Sequence, residues 1–277
     1  MHTMRQSSEA SNIPGRMPVL FVGHGSPMNA IEDNESSRGW RAIAKTIPRP
    51  TAILCISAHW ETWGTKVTAM PKPRTIHDFG GFPRPLYEAQ YPAPGDPALA
   101  RQICELVKPF DMALDQDWGL DHGCWSVLIQ MFPAADIPVL QLSLDTSRTP
   151  QAQYDLAKEL APLRHQGVLI LGSGNIVHNL RRVVLRGNSL NDFNTPFGLD
   201  WALEASALFK QLIDEDRHAE LADYQSLGSA VQLAVPTPEH YLPLLYALAL
   251  KEAGESITYF NDYPLAGSLT MTSLVIQ

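Results

Sequence analysis

Met17-Pro-Val-Leu-Phe-Val22, running into Gly23-His-Gly-Ser-Pro27, is the stretch whose reading decides the fold. An apolar run this short, without alternation, reads as a strand buried on both faces, and the glycine, serine and proline after it turn the chain. The same arrangement recurs along the chain. Ala52-Ile-Leu-Cys-Ile-Ser57 leads into Ala58-His59-Trp60, Pro138-Val-Leu-Gln-Leu-Ser143 is a third buried strand, and Gly167-Val-Leu-Ile-Leu-Gly172 leads into Ser173-Gly-Asn-Ile-Val-His178. Two late strands are expected at 257–260 and 268–276. Helical patterns lie between the strands. Asp96-Pro97 caps and opens one carrying Leu99, Ile103, Leu106 and Val107 at helical spacing, and Asp121 caps another carrying Trp125, Leu128, Ile129 and Phe132. Further helices are expected over 197–213 and 242–253. Alternating strands and helices predict an α/β fold: a single domain, residues 17–277, with a central, mostly parallel sheet flanked by helices, behind a flexible N-terminal tail, residues 1–16.

The overall numbers narrow the function. The 277 residues carry 21 Lys+Arg against 29 Asp+Glu, a net charge of −8, which disfavours a protein that grips a nucleic-acid backbone. The polar first sixteen residues lack the apolar core of a signal peptide, and no apolar run approaches the ~20 residues of a membrane span. A soluble, cytoplasmic protein without membrane or nucleic-acid partners is the expectation; no sequence signal sets its oligomeric state. Cys55, Cys104 and Cys124 are an odd, scattered set without a CxxC pair, so neither a disulfide framework nor a thiolate metal site is expected. Any metal would sit on nitrogen and oxygen, which directs attention to the nine histidines.

Their positions are informative. His24, His59 and His178 each follow the carboxyl end of a buried strand within a few residues, and ligands of open α/β sheets bind at that edge. One histidine in such a place is commonly structural; three on one edge point to a shared site. His240, in Pro236-Thr-Pro-Glu-His-Tyr-Leu-Pro243, stands at a loop–helix junction beside Glu239. Adjacent residues seldom both reach one ion, so Glu239 and His240 are rival ligands: two His and a Glu suit non-haem Fe(II), and an all-His set also suits zinc. His122 falls in the first turn of the helix capped by Asp121, where the dipole favours a neutral imidazole; a capping-turn histidine bonded only to backbone is the plainer reading. His77 lies in a long proline- and glycine-rich connection, 70–94, whose length suggests a wall or lid. It is either a substrate contact or a loop residue bonded to Asp78. His2, His165 and His218 read as surface.

Other motifs exclude more than they assign. Gly23-His-Gly-Ser-Pro27 and Gly172-Ser-Gly-Asn175 lack the spacing of a Walker or dinucleotide loop, and Ser26 and Ser173 are not in a nucleophile elbow. Cys55, inside a strand, is expected to be inert. Trp60, Trp63 and Trp125 read either as an apolar wall for an aromatic ligand or as core.

Seven blocks taken together are more specific: Phe21-Val-Gly-His-Gly-Ser-Pro-Met28, Ser57-Ala-His-Trp60, Thr75-Ile-His-Asp-Phe-Gly-Gly-Phe-Pro83, Tyr91-Pro-Ala-Pro-Gly95, Trp118-Gly-Leu-Asp-His-Gly123, Gly172-Ser-Gly-Asn-Ile-Val-His-Asn179 and Pro236 to Pro243. In this order, from about residue 17 to the C-terminus, they resemble the DODA-type extradiol aromatic ring-opening dioxygenases, the 4,5-DOPA dioxygenase branch of the class III, LigB-like enzymes. The resemblance implies one divalent metal, Zn2+ or Fe2+, held by His24, His59 and His240. His178 is counted there either as a further ligand or as the acid/base group, and His122 as an assisting catalytic residue. It implies a catechol substrate such as L-DOPA, dioxygen as co-substrate, and substrate contacts at His77 and Trp60. Related LigB-type enzymes use a glutamate as third ligand, and the neighbouring Glu239 keeps that alternative open. Zinc does not change oxidation state, so the dioxygenase chemistry requires Fe2+. Rival readings are a zinc hydrolase on the same histidine cluster and a catalytically silent zinc-binding protein.

Overall fold

The computed structural model describes residues 15–186 and 193–277. Its strands are β1 (Val19–Gly23), β2 (Ala52–Thr62), β3 (Thr65–Thr68), β4 (Met112–Asp115), β5 (Val139–Asp145), β6 (Val168–Gly174), β7 (Ile257–Phe260), β8 (Pro264–Leu265), β9 (Leu269–Thr270) and β10 (Ser273–Ile276). Its helices are α1 (Glu35–Ala44), α2 (Arg84–Glu88), α3 (Pro97–Leu106), α4 (His122–Met131), α5 (Pro150–Lys158), α6 (Ala161–Arg164), α7 (Asp200–Asp214), α8 (His218–Ala222), α9 (Ser229–Ala234) and α10 (Leu242–Ala249). The main sheet runs β4-β3-β5-β2-β6-β1-β10-β7. β5, β2, β6 and β1 are mutually parallel, and the pairings β5–β3, β1–β10 and β10–β7 are antiparallel. This is the α/β architecture that the buried strands predict, with mixed flanks.

Because side chains alternate along a strand, the central strands feed two cores. Val19, Phe21, Leu54, Ile56, Val168 and Ile170 pack with residues of α3 and α5 through α10 on one face. Leu20, Val22, Ile53, Cys55, Leu169 and Leu171 pack with Trp40 of α1, Leu86 of α2 and Trp125 and Leu128 of α4 on the other. Burial on both faces is why these strands are continuously apolar. The capped helices follow their signals: Asp96 accepts from the amides of Ala98 and Leu99, and Asp121 from that of Cys124.

Several expectations need adjustment. β2 does not end at Ser57; it continues to Thr62, but its register with β5 breaks between Ile56 and Glu61. The stretch 268–276 is two strands, β9 pairing with β8 and β10 joining the main sheet. The helix expected over 197–213 begins at Asp200, and that expected over 242–253 stops at Ala249. β3 and β4 are four residues each, too short to show a period. Of the expected tail, residues 1–14, including His2, lie outside the described residues, while Arg16 pairs with Glu252 at 2.6 Å and Glu255 at 2.8 Å. Among the described residues no helix is long and apolar enough to cross a membrane.

Candidate metal centre and active site

Five histidines from distant parts of the chain meet at the carboxyl edge of β1, β2 and β6. His24 follows β1 directly. Its amide donates to the Gly174 carbonyl at 2.9 Å, and its own carbonyl accepts from Asn29 Nδ2 at 2.9 Å, so its backbone is fixed on both sides. Gly25 takes φ 57°, and a Cβ there would lie 2.6 Å from Met271 Sδ, which explains the glycine in this turn. His59 lies in the part of β2 that has lost register; such a bulge re-aims a side chain out of the strand alternation. His122 is the first residue of α4. His178 follows β6, its amide donating to the Ala234 carbonyl at 2.9 Å. His240 arrives from the loop before α10, which crosses β6 closely: a Cβ on Gly172 or Gly174 would strike the carbonyls of Pro243 or His240, and the Asn175 amide donates to the His240 carbonyl at 2.8 Å.

Hydrogen bonds define which ring nitrogens face the centre. Ser173 donates its only proton to the Gly123 carbonyl at 2.5 Å, so its contact with His24 Nδ1 at 3.0 Å is received from an Nδ1–H. His240 Nδ1 donates to Glu239 Oε1 at 3.0 Å, an oxygen that also accepts from Thr237 at 2.9 Å. His122 Nδ1 donates to Asp78 Oδ2 at 2.9 Å, and the His122 amide donates to Oδ1 at 2.9 Å. In its neutral form each of these rings therefore keeps the lone pair on Nε2. His24 Nε2 and His59 Nε2 are 3.1 Å apart, and Asp78 Oδ2 lies 3.7 Å from His59 Nδ1.

Ring spacing sorts the five. Two imidazoles bound through nitrogen to one ion at ~2.1 Å, near-tetrahedral angles apart, put their ring centres about 5 Å apart. His24–His59, His59–His240 and His24–His240 stand at 4.9, 5.0 and 5.2 Å. His59–His122 at 3.8 Å and His178–His240 at 3.5 Å, the latter stacked within 9°, are closer than that. The donor atoms also fall into two compact groups, His24/His59/His122 and His178/Glu239/His240. Burial depresses His24 and His240 far below the ordinary histidine range, with the neighbouring histidines adding to it. Burial and then His122 lower His59 to about 3; burial lowers His178 to about 4, with Glu239 pulling the other way. The neutral imidazoles of His24, His59, His178 and His240, offering lone pairs, fit a divalent cation.

The wall around this centre differs in part from expectation. The 70–94 connection is strapped to the start of α4: the Ile76 amide donates to the Leu120 carbonyl at 2.7 Å, the Leu120 amide to the Arg74 carbonyl at 2.8 Å, and Trp125 Nε1 to the Ile76 carbonyl at 2.8 Å. His77 Nε2 donates to the Ala89 carbonyl at 2.9 Å, and its ring sits among Phe79, Tyr87 and Trp125; it is not bonded to Asp78. Phe79 stands edge-on to His122 at 5.7 Å. Trp60 is buried and stacked on Trp118. Trp125 is core, and Trp63, 84% exposed at the β2–β3 turn, is not part of a wall with it. His218 is not a surface residue either; it is largely covered and bonded to Tyr154 at 2.8 Å, because α8 packs on α5.

Asp78, Ser173 and Asp121 carry more of the site than their sequence suggests. Asp121 is fully buried; it accepts from Ser57 at 2.6 Å and Gln141 at 2.7 Å, tying the start of α4 to β2 near His59. Burial and then the charge of Asp78 push its carboxyl up. Burial works to raise Asp78 as well, but the hydrogen bonds from the His122 ring and amide, with the charges of His122 and His59, together outweigh it and hold the carboxyl below the usual range. Only the Asp121 cap had a sequence signal; the partners of Asp78 and Ser173 are far away along the chain.

Comparison with known proteins agrees with the geometry. Residues 18–269 match the family described as the catalytic LigB subunit of aromatic ring-opening dioxygenase. The chain is 46% identical over 262 residues to a 4,5-DOPA dioxygenase extradiol of Escherichia coli (strain K12), covering 94% of this chain and 95% of the relative. It is 37% identical to a 4,5-DOPA dioxygenase extradiol of Beta vulgaris, covering 86% and 87%. The crystal structure of an uncharacterized protein from Escherichia coli K12 superposes with TM-score 0.81 at 42% identity, covering 95% of this chain and 100% of that one.

Proposed function

The chain belongs to the family of the catalytic LigB subunit of aromatic ring-opening dioxygenases, and from that premise we propose that it opens L-DOPA, or a closely related catechol, outside its two hydroxyls. The family assigns an extradiol ring-cleaving dioxygenase that uses a non-haem metal, an aromatic substrate and dioxygen. The finer reading is Fe2+ on His24, His59 and His240. The observation that carries it is the near-equilateral triangle of these rings, 4.9, 5.0 and 5.2 Å on a side. Glu239 bonds the Nδ1 side of His240, which supports it as the group that orients this ligand, not as its rival. Fe2+ held by His24, His59 and His240 would supply the redox chemistry toward a catechol and dioxygen that zinc does not perform.

The protein's own groups supply the rest. Ser173 and Glu239 hold His24 and His240 as Nδ1–H tautomers, so both present Nε2 without rearrangement. His178 is the general base. Its 3.5 Å stack on His240 is too close for a second ligand of the same ion, and its imidazole is neutral at pH 7. Negative charge growing on the catechol oxygen raises the proton affinity of this ring as the proton arrives. His122, beside His59 and Phe79, hydrogen-bonds the substrate, while the strapped 70–94 connection excludes water. His77, packed against Phe79, serves as an outer wall for the aromatic ring, while Trp60 is packed against Trp118.

The test is anaerobic loading with Fe2+ followed by oxygen uptake on L-DOPA and on protocatechuate. Stoichiometric uptake with a ring-opened product is expected on L-DOPA. An iron-loaded protein that consumes no oxygen with either catechol defeats the reading.

A further inference from the structure

Asp78 lies within ion-pair distance of two of the clustered histidines, His122 at 2.9 Å and His59 at 3.7 Å. It comes from the 70–94 connection, and the strap between residues 74–76 and Leu120 places it over the start of α4. Both of its oxygens are committed to His122: Oδ1 receives the backbone N–H and Oδ2 the ring Nδ1–H, each at 2.9 Å. The backbone N–H can only donate, and an ionised carboxylate can only accept. The pair therefore leaves the neutral form of the His122 ring one tautomer only, with the proton on Nδ1 and the lone pair on Nε2. The ring is 7% exposed and lies 3.8 Å from His59 and 5.6 Å from His24, centre to centre. Its free nitrogen thus belongs to the centre.

We propose that Asp78 is a positioning residue that fixes His122 as a hydrogen-bond acceptor, so that His122 accepts a hydrogen bond from one hydroxyl of the bound catechol while His178, the general base, serves its other side. This rests on the dioxygenase reading for the identity of the donor, but the tautomer itself does not. The arrangement orients the substrate without a covalent step: a catechol O–H points at Nε2, and an analogue lacking that hydroxyl leaves a buried acceptor without a partner. The structural reason to assign this to Asp78 is that no other described side chain hydrogen-bonds to His122.

Replacing the acid by its amide reads the proposal directly. In Asp78→Asn the backbone N–H still needs an oxygen, so the NH2 group is turned toward Nδ1, which must then accept. The His122 proton moves to Nε2, and the ring becomes a donor. Histidine-15N spectra of the zinc-loaded, diamagnetic protein, with His122 assigned by its loss in His122→Gln, should show Nδ1–H in the wild type and in Asp78→Glu, and Nε2–H in Asp78→Asn. At saturating Fe2+, Asp78→Asn should lower kcat for L-DOPA by ~10–100-fold, the scale of losing an orienting partner, and Asp78→Glu should recover part of it. A wild-type His122 carrying its proton on Nε2 overturns the proposal without any variant. So does a reversed tautomer in Asp78→Asn with unchanged turnover. Loss of the ion from His122→Gln also overturns it, since the ring would then be a metal ligand. An iron-loaded wild type without oxygen uptake defeats the dioxygenase reading instead, and with it the substrate as donor, while leaving the tautomer measurement standing.

Discussion

Ser173 and His24 form a one-way hydrogen bond: the serine gives its proton to the Gly123 carbonyl at 2.5 Å and so can only receive from His24 Nδ1 at 3.0 Å. Three elements, β6, the start of α4 and the β1 turn, are joined through one hydroxyl. Ser173→Ala leaves a buried Nδ1–H without an acceptor and frees the ring. Affinity for the divalent metal should fall by ~10–100-fold, measured by competition with a chelator, with little change in fold by circular dichroism.

Ligands and base separate by metal content. His24→Ala, His59→Ala and His240→Gln should each purify without stoichiometric metal. His178→Ala should keep the ion and lose turnover by ~10²–10⁴-fold. Glu239→Gln should retain the ion with weakened affinity, because only the partner of His240 changes. Elemental analysis beside oxygen uptake decides each case; loss of the ion from His178→Ala would place that ring among the ligands.

Acid should destabilise the fold through the same rings. His59 is lowered to about 3 and His178 to about 4, against ~6.5 in an unfolded chain. Between these values the unfolded chain binds more protons than the folded one, so unfolding free energy rises with pH. The stabilising contribution is complete above pH ~6.5 and is lost progressively as the pH falls toward 4. Urea midpoints at pH 7.5, 6 and 5 should decline in that order, and His178→Gln should flatten the decline.

Arg164 and Glu255 make an ion pair with both side chains fully buried, and Arg164 also donates to the carbonyls of Met17 at 2.8 Å and Leu250 at 2.5 Å. The pair anchors the entry to β1 against the connection between α10 and β7. Glu255→Ala strands a buried guanidinium and should cost ~3–5 kcal/mol in urea unfolding. Arg84→Ala, which removes an exposed pair with Glu88, should cost about 0.5 kcal/mol or less.

What could be read from the chain depended on distance along it. The buried strands at 19–23, 52–57, 139–145 and 168–174 are legible because burial on both faces demands continuous apolar residues. The caps at Asp96 and Asp121 are legible because their partners are two or three residues away. The reach of His59 depends on a register break against β5, and strand pairing leaves no local mark. Trp63 and Trp125 look alike in sequence, yet one is 84% exposed and the other fully buried.

The α/β class, the strand edge and the histidines that could gather there are written locally along the chain, since all three follow from local polarity and the period of side-chain direction. How far apart the rings stand, and which nitrogen of each is bonded, came only with folding. Ring spacings of about 5 Å or below 4 Å, and an acceptor on Nδ1 supplied by Asp78, Ser173 or Glu239, are what distinguish the histidines proposed as ligands from those proposed as base and orienting group. Two of those acceptors lie 44 and 149 residues from the rings they hold, so only folding brings their hydrogen bonds into being.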